Sequence, residues 1–373
     1  LDEDHLPGMK KIVLVLGVLV AILIACAKDP AEPSTPSQPN TQPSSPVIFD
    51  LDSVPYTTLS HYNFFAGNMA DMLPVQGVLP YEPITPLFSD YAHKYRFVWM
   101  PNGVKASYVS DGEVLDFPEG AVLIKTFYYD HVQPDDAHRL IETRLLIKKN
   151  GQWEFADYVW NDAQTEATLD LSGSYTAFTW MDDNGVPHDE NYRIPSYVEC
   201  LTCHKNSDIP VPIGPKPQNL NSTFAYTDGP MNQLAKWETE GYLQSGYPQN
   251  IETVAKWDDP NEDMTRRVRA YVDMNCSHCH AENHHCGYRP MRFAWNQTTN
   301  LTNIGVCVPT TDPIEPSQDY VVHAGNSGRS MLYYRISSTD PSVRMPLMGR
   351  TVRHEEAIQL IGDWINSLPD TCQ

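Results

Sequence analysis

Two pentapeptides, Cys200-Leu201-Thr202-Cys203-His204 and Cys276-Ser277-His278-Cys279-His280, constrain the fold of this chain more than any other feature. In a Cys-x-x-Cys-His segment the two thiols add to the vinyl groups of one heme, and the adjacent imidazole supplies the proximal nitrogen to its iron. Both sulfurs and the ring must reach one edge and one face of the same macrocycle. A chain that does this twice needs two cavities. Two other chemistries use paired cysteines. A structural zinc site built from the four thiolates would leave both histidines without a role, and a dithiol redox pair belongs to a βαβ unit that the pattern lacks. The residues therefore predict two covalently bound c-type hemes. Cys200, Cys203, Cys276 and Cys279 are the attachment points, and His204 and His280 are iron ligands.

Each iron has a sixth position. For the second heme, Met345 in Arg344-Met345-Pro346 is the expected metal ligand, and Met348, Met331, His323, His284 and His285 are its rivals. Methionine opposite histidine raises the potential relative to two histidines. For the first heme, Met231 follows the motif, while His188, His138 and His131 precede it. An open distal face is a further alternative there.

Between residues 90 and 181 the chain has the texture of strands. Tyr95, Phe97 and Trp99 alternate with Lys94, Arg96 and Val98, and Lys149-Asn150-Gly151 separates two strand-like runs as a hairpin turn would. After about residue 190 the texture changes to short helices and proline-rich loops. Met264, Val268, Tyr271 and Val272 recur at helical spacing, as one face, just before the second motif. Ala357, Leu360, Ile361, Trp364, Ile365 and Leu368 do so near the end. The expected fold class is α+β multidomain. An antiparallel β module (48–190) is followed by mainly α cytochrome c-like heme modules, namely a first heme segment (191–258) and a second heme domain (259–373).

The first residues read as an address. From Met9 a basic pair, Lys10-Lys11, precedes an apolar run over 12–24, the layout of a secretory signal. Residues 1–8 lie upstream of the expected start. Leu23-Ile24-Ala25-Cys26 resembles a bacterial lipobox, so 1–26 is assigned as a signal with Cys26 as the acylated anchor to a membrane. Residues 27–47 are rich in proline and serine and form a tether. The net charge of -21 argues against nucleic acid as a partner and for a redox protein with a basic face. Outside the motifs, Cys286, Cys307 and Cys372 remain, and in an oxidising compartment two of the three are expected to pair. Which two is open.

The segments PLFSDYAHKYRFVWMP, FPEGAVLIKTFYY, ECLTCH, NCSHCH, RMPLMGR and DWINSL, taken in order, resemble a family of bacterial diheme c-type cytochromes of the conserved hypothetical lipoprotein type. The match runs from about residue 55 to the end. It implies two hemes, an envelope location with the outer membrane favoured, and electron transfer. From about residue 260 the chain is also similar to a class I cytochrome c domain. That similarity implies attachment and ligation by Cys276, Cys279, His280 and Met345, with Trp364 against the helix around Tyr271. The function expected is an envelope electron carrier rather than an enzyme. One alternative is a diheme peroxidase or oxidase with one open-site heme. The other is a cell-surface binding protein whose β module uses Trp99, Trp153 and Trp160 as a stacking platform.

Overall fold

The computed structural model describes residues 45–372. The expected signal, the expected anchor at Cys26 and nearly all of the expected tether lie outside the described residues. Those that are described fall within a single compact unit. No helix among them is long and apolar enough to cross a membrane.

The centre of the molecule is one antiparallel sheet of eight strands: β1 (Leu79–Pro80), β2 (His93–Trp99), β3 (Val122–Val132), β4 (Ala137–Lys149), β5 (Gln152–Trp160), β6 (Ala167–Leu169), β7 (Ser174–Met181) and β8 (Pro187–Ile194). They run in the order β1-β2-β3-β4-β5-β6, while β7 pairs with β8 and touches the end of β3 at Val132 and Trp180. The β4–β5 turn is local chemistry. Asn150 and Gly151 both have positive φ, as a two-residue hairpin demands, and the Glu119 carboxylate accepts both of their backbone N–H groups.

The sheet is covered on both faces. Val122, Ile124, Leu145 and Ile147 pack on one face against Leu59, Tyr62 and Phe64 from the segment before β1. On the other, Val98 and Leu123 meet Leu234 and Trp237, which come from the segment after the first motif. Burying each such side chain contributes about 2 kcal/mol. Two-sided burial is why β3 reads as a nearly unbroken apolar run. Trp99, Trp153 and Trp160 are each only 5–6% exposed, so they are core residues and no stacking platform.

The expected mainly α heme modules are overturned. The six α-helices among the described residues are α1 (Tyr197–Cys203), α2 (Pro217–Leu220), α3 (Gln233–Thr239), α4 (Met264–Cys276), α5 (Met331–Ser337) and α6 (Glu355–Ser367). None exceeds 13 residues, and the sheet dominates. Around the first motif the chain instead forms two small ribbons, β9 (Lys205–Asn206) with β10 (Ile209–Pro210) and β11 (Thr223–Tyr226) with β12 (Gly229–Asn232). Between α4 and α5 it runs through turns punctuated by Pro290, Pro309, Pro313 and Pro316, each lacking the N–H that a helix interior requires. The amphipathic segments do pack as helices. Val268, Tyr271 and Val272 of α4 share a core with Leu360, Ile361 and Trp364 of α6. Met264 stays outside it, exposed at the start of α4. Cys307 is bonded to Cys372, which pins the chain after α6, and Cys286 is a buried free thiol.

Candidate functional site

The two motifs adopt the same local geometry. Helix α1 opens on a capping box, with Ser196 Oγ accepting from Glu199 N and the Glu199 carboxylate accepting from Ser196 N at 2.7 Å. It ends on Cys203, and the His204 N–H donates to the Cys200 carbonyl at 3.0 Å. Helix α4 starts on Asp263, whose carboxylate accepts from Arg266 N, and ends on Cys276. Its chain continues in a turn that brings the His280 N–H to the Cys276 carbonyl at 3.1 Å. In both cases one helical turn places the histidine back beside the first cysteine.

Long-range bonds then bring the motifs together. The Lys216 ammonium, past the first motif, lies 3.3 Å from the Asp273 carboxylate on α4. Ser207 N donates to the Asn283 carbonyl, and Phe88 N, just before β2, donates to Asn275 Oδ1. As a result the ligand atoms of Cys203, His278 and Cys279 lie within 4.8 Å of one another. The hydrogen bond between the two thiols lowers Cys203 and raises Cys279. Burial pushes Cys200 and Cys276 up to about 12.

Each motif opens into its own cavity. Cys276, Cys279 and His280 line one of about 280 Å³, together with Met345. Cys200, Cys203 and His204 line one of about 180 Å³ against the sheet. Cys203, His278 and Met348 line both, so the cavities share a wall. Burial lowers both His204 and His280 to about 4, which keeps the rings neutral with a lone pair for a metal. His204 Nδ1–H donates to the Val211 carbonyl at 2.9 Å and so leaves Nε2 as the ligating nitrogen. Nδ1 of His280 is buried with no partner. These features fit a heme at each motif: a complete Cys-Cys-His set on a cavity wall, neutral imidazoles, and an uncompensated ring nitrogen.

Among the rival ligands for the second cavity, Met331, Met348 and His285 line it beside Met345, whereas His323 and His284 do not. The Met345 loop is held by Arg350, which donates to the Met345 carbonyl from Nε at 3.1 Å and Nη2 at 2.8 Å. For the first cavity none of the four sequence candidates is in place. His131 and His138 sit at the β3–β4 hairpin end, bonded to Asp136 and Asp130, and His188 is stacked on Trp180 and bonded to Asp182. Met231 belongs to the core around Trp237. The donors that do line the cavity are Lys125, Met274, His278 and Met348. Lys125 left one signal in the sequence, a charged residue inside the apolar run of β3.

Neither the family models, nor the curated proteins, nor the solved structures contain a match to this chain.

Proposed function

We propose that this chain is a diheme c-type cytochrome of the bacterial envelope that passes single electrons between its two hemes and a redox partner, rather than an enzyme. The observation that carries the reading is the meeting of the two Cys-x-x-Cys-His motifs at Cys203 and Cys279, each beside its own cavity. Electron tunnelling falls off exponentially with separation, so attachment points this close would favour rapid exchange between hemes held at them. A heme held by each motif would supply the one-electron ferric/ferrous couple. The chain's own residues do the rest. His204 and His280 offer neutral imidazoles, and the Val211 carbonyl fixes the ring of His204. The Arg350 guanidinium holds the Met345 loop against the second cavity. The cavity walls, which combine apolar side chains with charged ones, set the local dielectric.

Cys26 is the proposed lipid anchor, with the outer membrane favoured, and the net charge of -21 favours a basic redox partner. Association with such a partner is expected to weaken as salt rises. Binding that is the same at low and high ionic strength counts against that partner class.

The thiol and imidazole cluster of Cys203, His278 and Cys279 favours a second reading, a single metal ion on these three ligands. Intact mass and a reduced-minus-oxidised spectrum of protein matured in a host with envelope heme attachment separate the two. The cytochrome reading expects a covalent mass gain of two hemes. A gain of fewer overturns it, and metal content without covalent mass supports the second reading.

A further inference from the structure

The face of the sheet toward the first cavity carries a row of three cations, two of them without an ion-pair partner. Arg96 on β2 is the direct cross-strand partner of Lys125 on β3, and Lys125 that of Arg144 on β4. All three line the cavity with Cys200, Cys203 and His204. Arg144 is answered by Glu142, at 2.5 Å, and Asp157, at 3.5 Å. Arg96, 8% exposed, and Lys125 make no side-chain hydrogen bond or ion pair among the described residues. Lys125 has only the ring of Phe127, 4.7 Å away, for company. Weaker acidic influence reaches them from Glu82 and Glu142.

Like charges placed directly opposite in a sheet repel, and unpaired cations taken out of water cost several times more. A chain with a net charge of -21 has carboxylates in excess, yet none is placed against this pair. An anion in the cavity would offset both costs. Asp157, Asp170 and Glu199 line the cavity without an ion pair to Arg96 or Lys125. Leu123, Leu145, Phe155 and Phe88 give it apolar wall beside the cations, which suits a flat apolar body carrying its charge at one edge. A heme has that shape, with its thioether carbons and its two propionates on different parts of the rim.

We propose that Arg96 and Lys125 bind the propionates of the heme attached at Cys200 and Cys203, so that the β-sheet supplies that heme's counter-charge. The inference rests on the diheme reading and gives the sheet a role in it. Paired propionates no longer stabilise the ferric state by their own negative charge, so the first heme has a raised potential. Arginine and lysine serve here as charge and hydrogen-bond donors and stay off the iron.

The experiment is a spectroelectrochemical titration of the heme-loaded protein and its variants Arg96→Gln, Arg96→Lys, Lys125→Gln and Lys125→Arg, each first weighed intact. A wild-type mass short of two hemes defeats the diheme reading before the inference is reached. With two hemes present, Arg96→Gln and Lys125→Gln are expected to shift one of the two potentials downward and leave the other. Arg96→Lys and Lys125→Arg should restore it, with the ligand-field spectra unchanged throughout. Loss of one heme from a glutamine variant and its retention in the charged variant also supports the proposal. Three outcomes overturn it. Both Lys125→Gln and Lys125→Arg change the ligand-field spectrum, which makes Lys125 an axial ligand. Alternatively, chloride or phosphate added at constant ionic strength shifts the first heme's band or potential, which makes the cations a site for free anions. Finally, neither glutamine variant moves a potential or loses a heme.

Discussion

Lys216 Nζ lies 3.3 Å from Asp273 Oδ1, with the two side chains only 12% and 1% exposed, and this ion pair ties the segment after the first motif to the helix that leads into the second. The same carboxylate accepts from Trp295 N at 3.0 Å and from Gln218 Nε2 at 3.3 Å. Asp273→Ala leaves a nearly buried ammonium unpaired and two further donors without their acceptor. The expected loss is about 3–5 kcal/mol in chemical denaturation. Asp273→Asn, which keeps an acceptor for Trp295 N, should lose less. A loss under about 1 kcal/mol for the alanine variant would mean that this pair does not hold the motifs together.

Arg350 is 4% exposed and its guanidinium donates to the carbonyls of Arg335, Ile336, Ser338, Met345 and Val352. Arg350→Met keeps the volume and strips the donor from five carbonyls. The expected cost is about 3 kcal/mol or more, read as a lower melting temperature. If Met345 ligates the second heme, Arg350→Met should also weaken a sulfur-to-iron charge-transfer band in the heme-loaded protein, one that Met345→Ala is expected to abolish. A band of full strength in Arg350→Met would show that the loop keeps its place unaided.

What can be read from the sequence and what cannot divide along the range of the interactions. The Asn150-Gly151 turn, the faces of α4 and α6 and the two motifs are local, and periodicity or spacing within a few residues specifies them. The fold class is harder to read because two helices bracketing the second motif suggest a mainly α module, while the chain between them is governed by its prolines. The first cavity is beyond reach for another reason. Its cationic row needs the register of three strands at once, Arg96 on Lys125 on Arg144, and a slip of one residue in any of them would turn that strand's cation to the opposite face. His131 and His138 qualify by their place in the chain, but β3 and β4 carry them to a hairpin end where exposed aspartates hold them.

Glu190 joins the sheet to the loop before α6 through Thr351 Oγ1 at 3.1 Å, and burial, helped by the charge of Asp90, raises its carboxyl from 4.5 to about 7. The folded protein thus holds a proton that the unfolded chain has already released between pH 4.5 and 7. Stability from this group is highest below that window and falls as pH rises through it. A tenfold change in proton affinity corresponds to about 1.4 kcal/mol, and screening at a partly solvated site reduces the total to roughly 1–2 kcal/mol. Glu190→Gln keeps the acceptor and removes the titration. It should melt higher than the parent at about pH 8 and close to it at about pH 4.5. An equal difference at both values would rule out Glu190 as the source.

The cysteines offer a count that depends on heme attachment alone. Among the described residues five cysteines are free, and Cys307 is joined to Cys372. Two hemes consume four of the five and leave Cys286. Protein beginning after Cys26 and denatured without reductant should take up one maleimide, and after reduction three. Without heme the numbers are five and seven, and with a single heme three and five. In the native state Cys286 should label slowly, because it is buried and its thiol is raised by that burial. Reducing the bond between Cys307 and Cys372, which lie 65 residues apart, is expected to cost about 4 kcal/mol through loop-closure entropy, seen as a lower melting temperature in reductant. Five labels on unreduced protein from a host with the attachment machinery would mean that neither motif holds its heme.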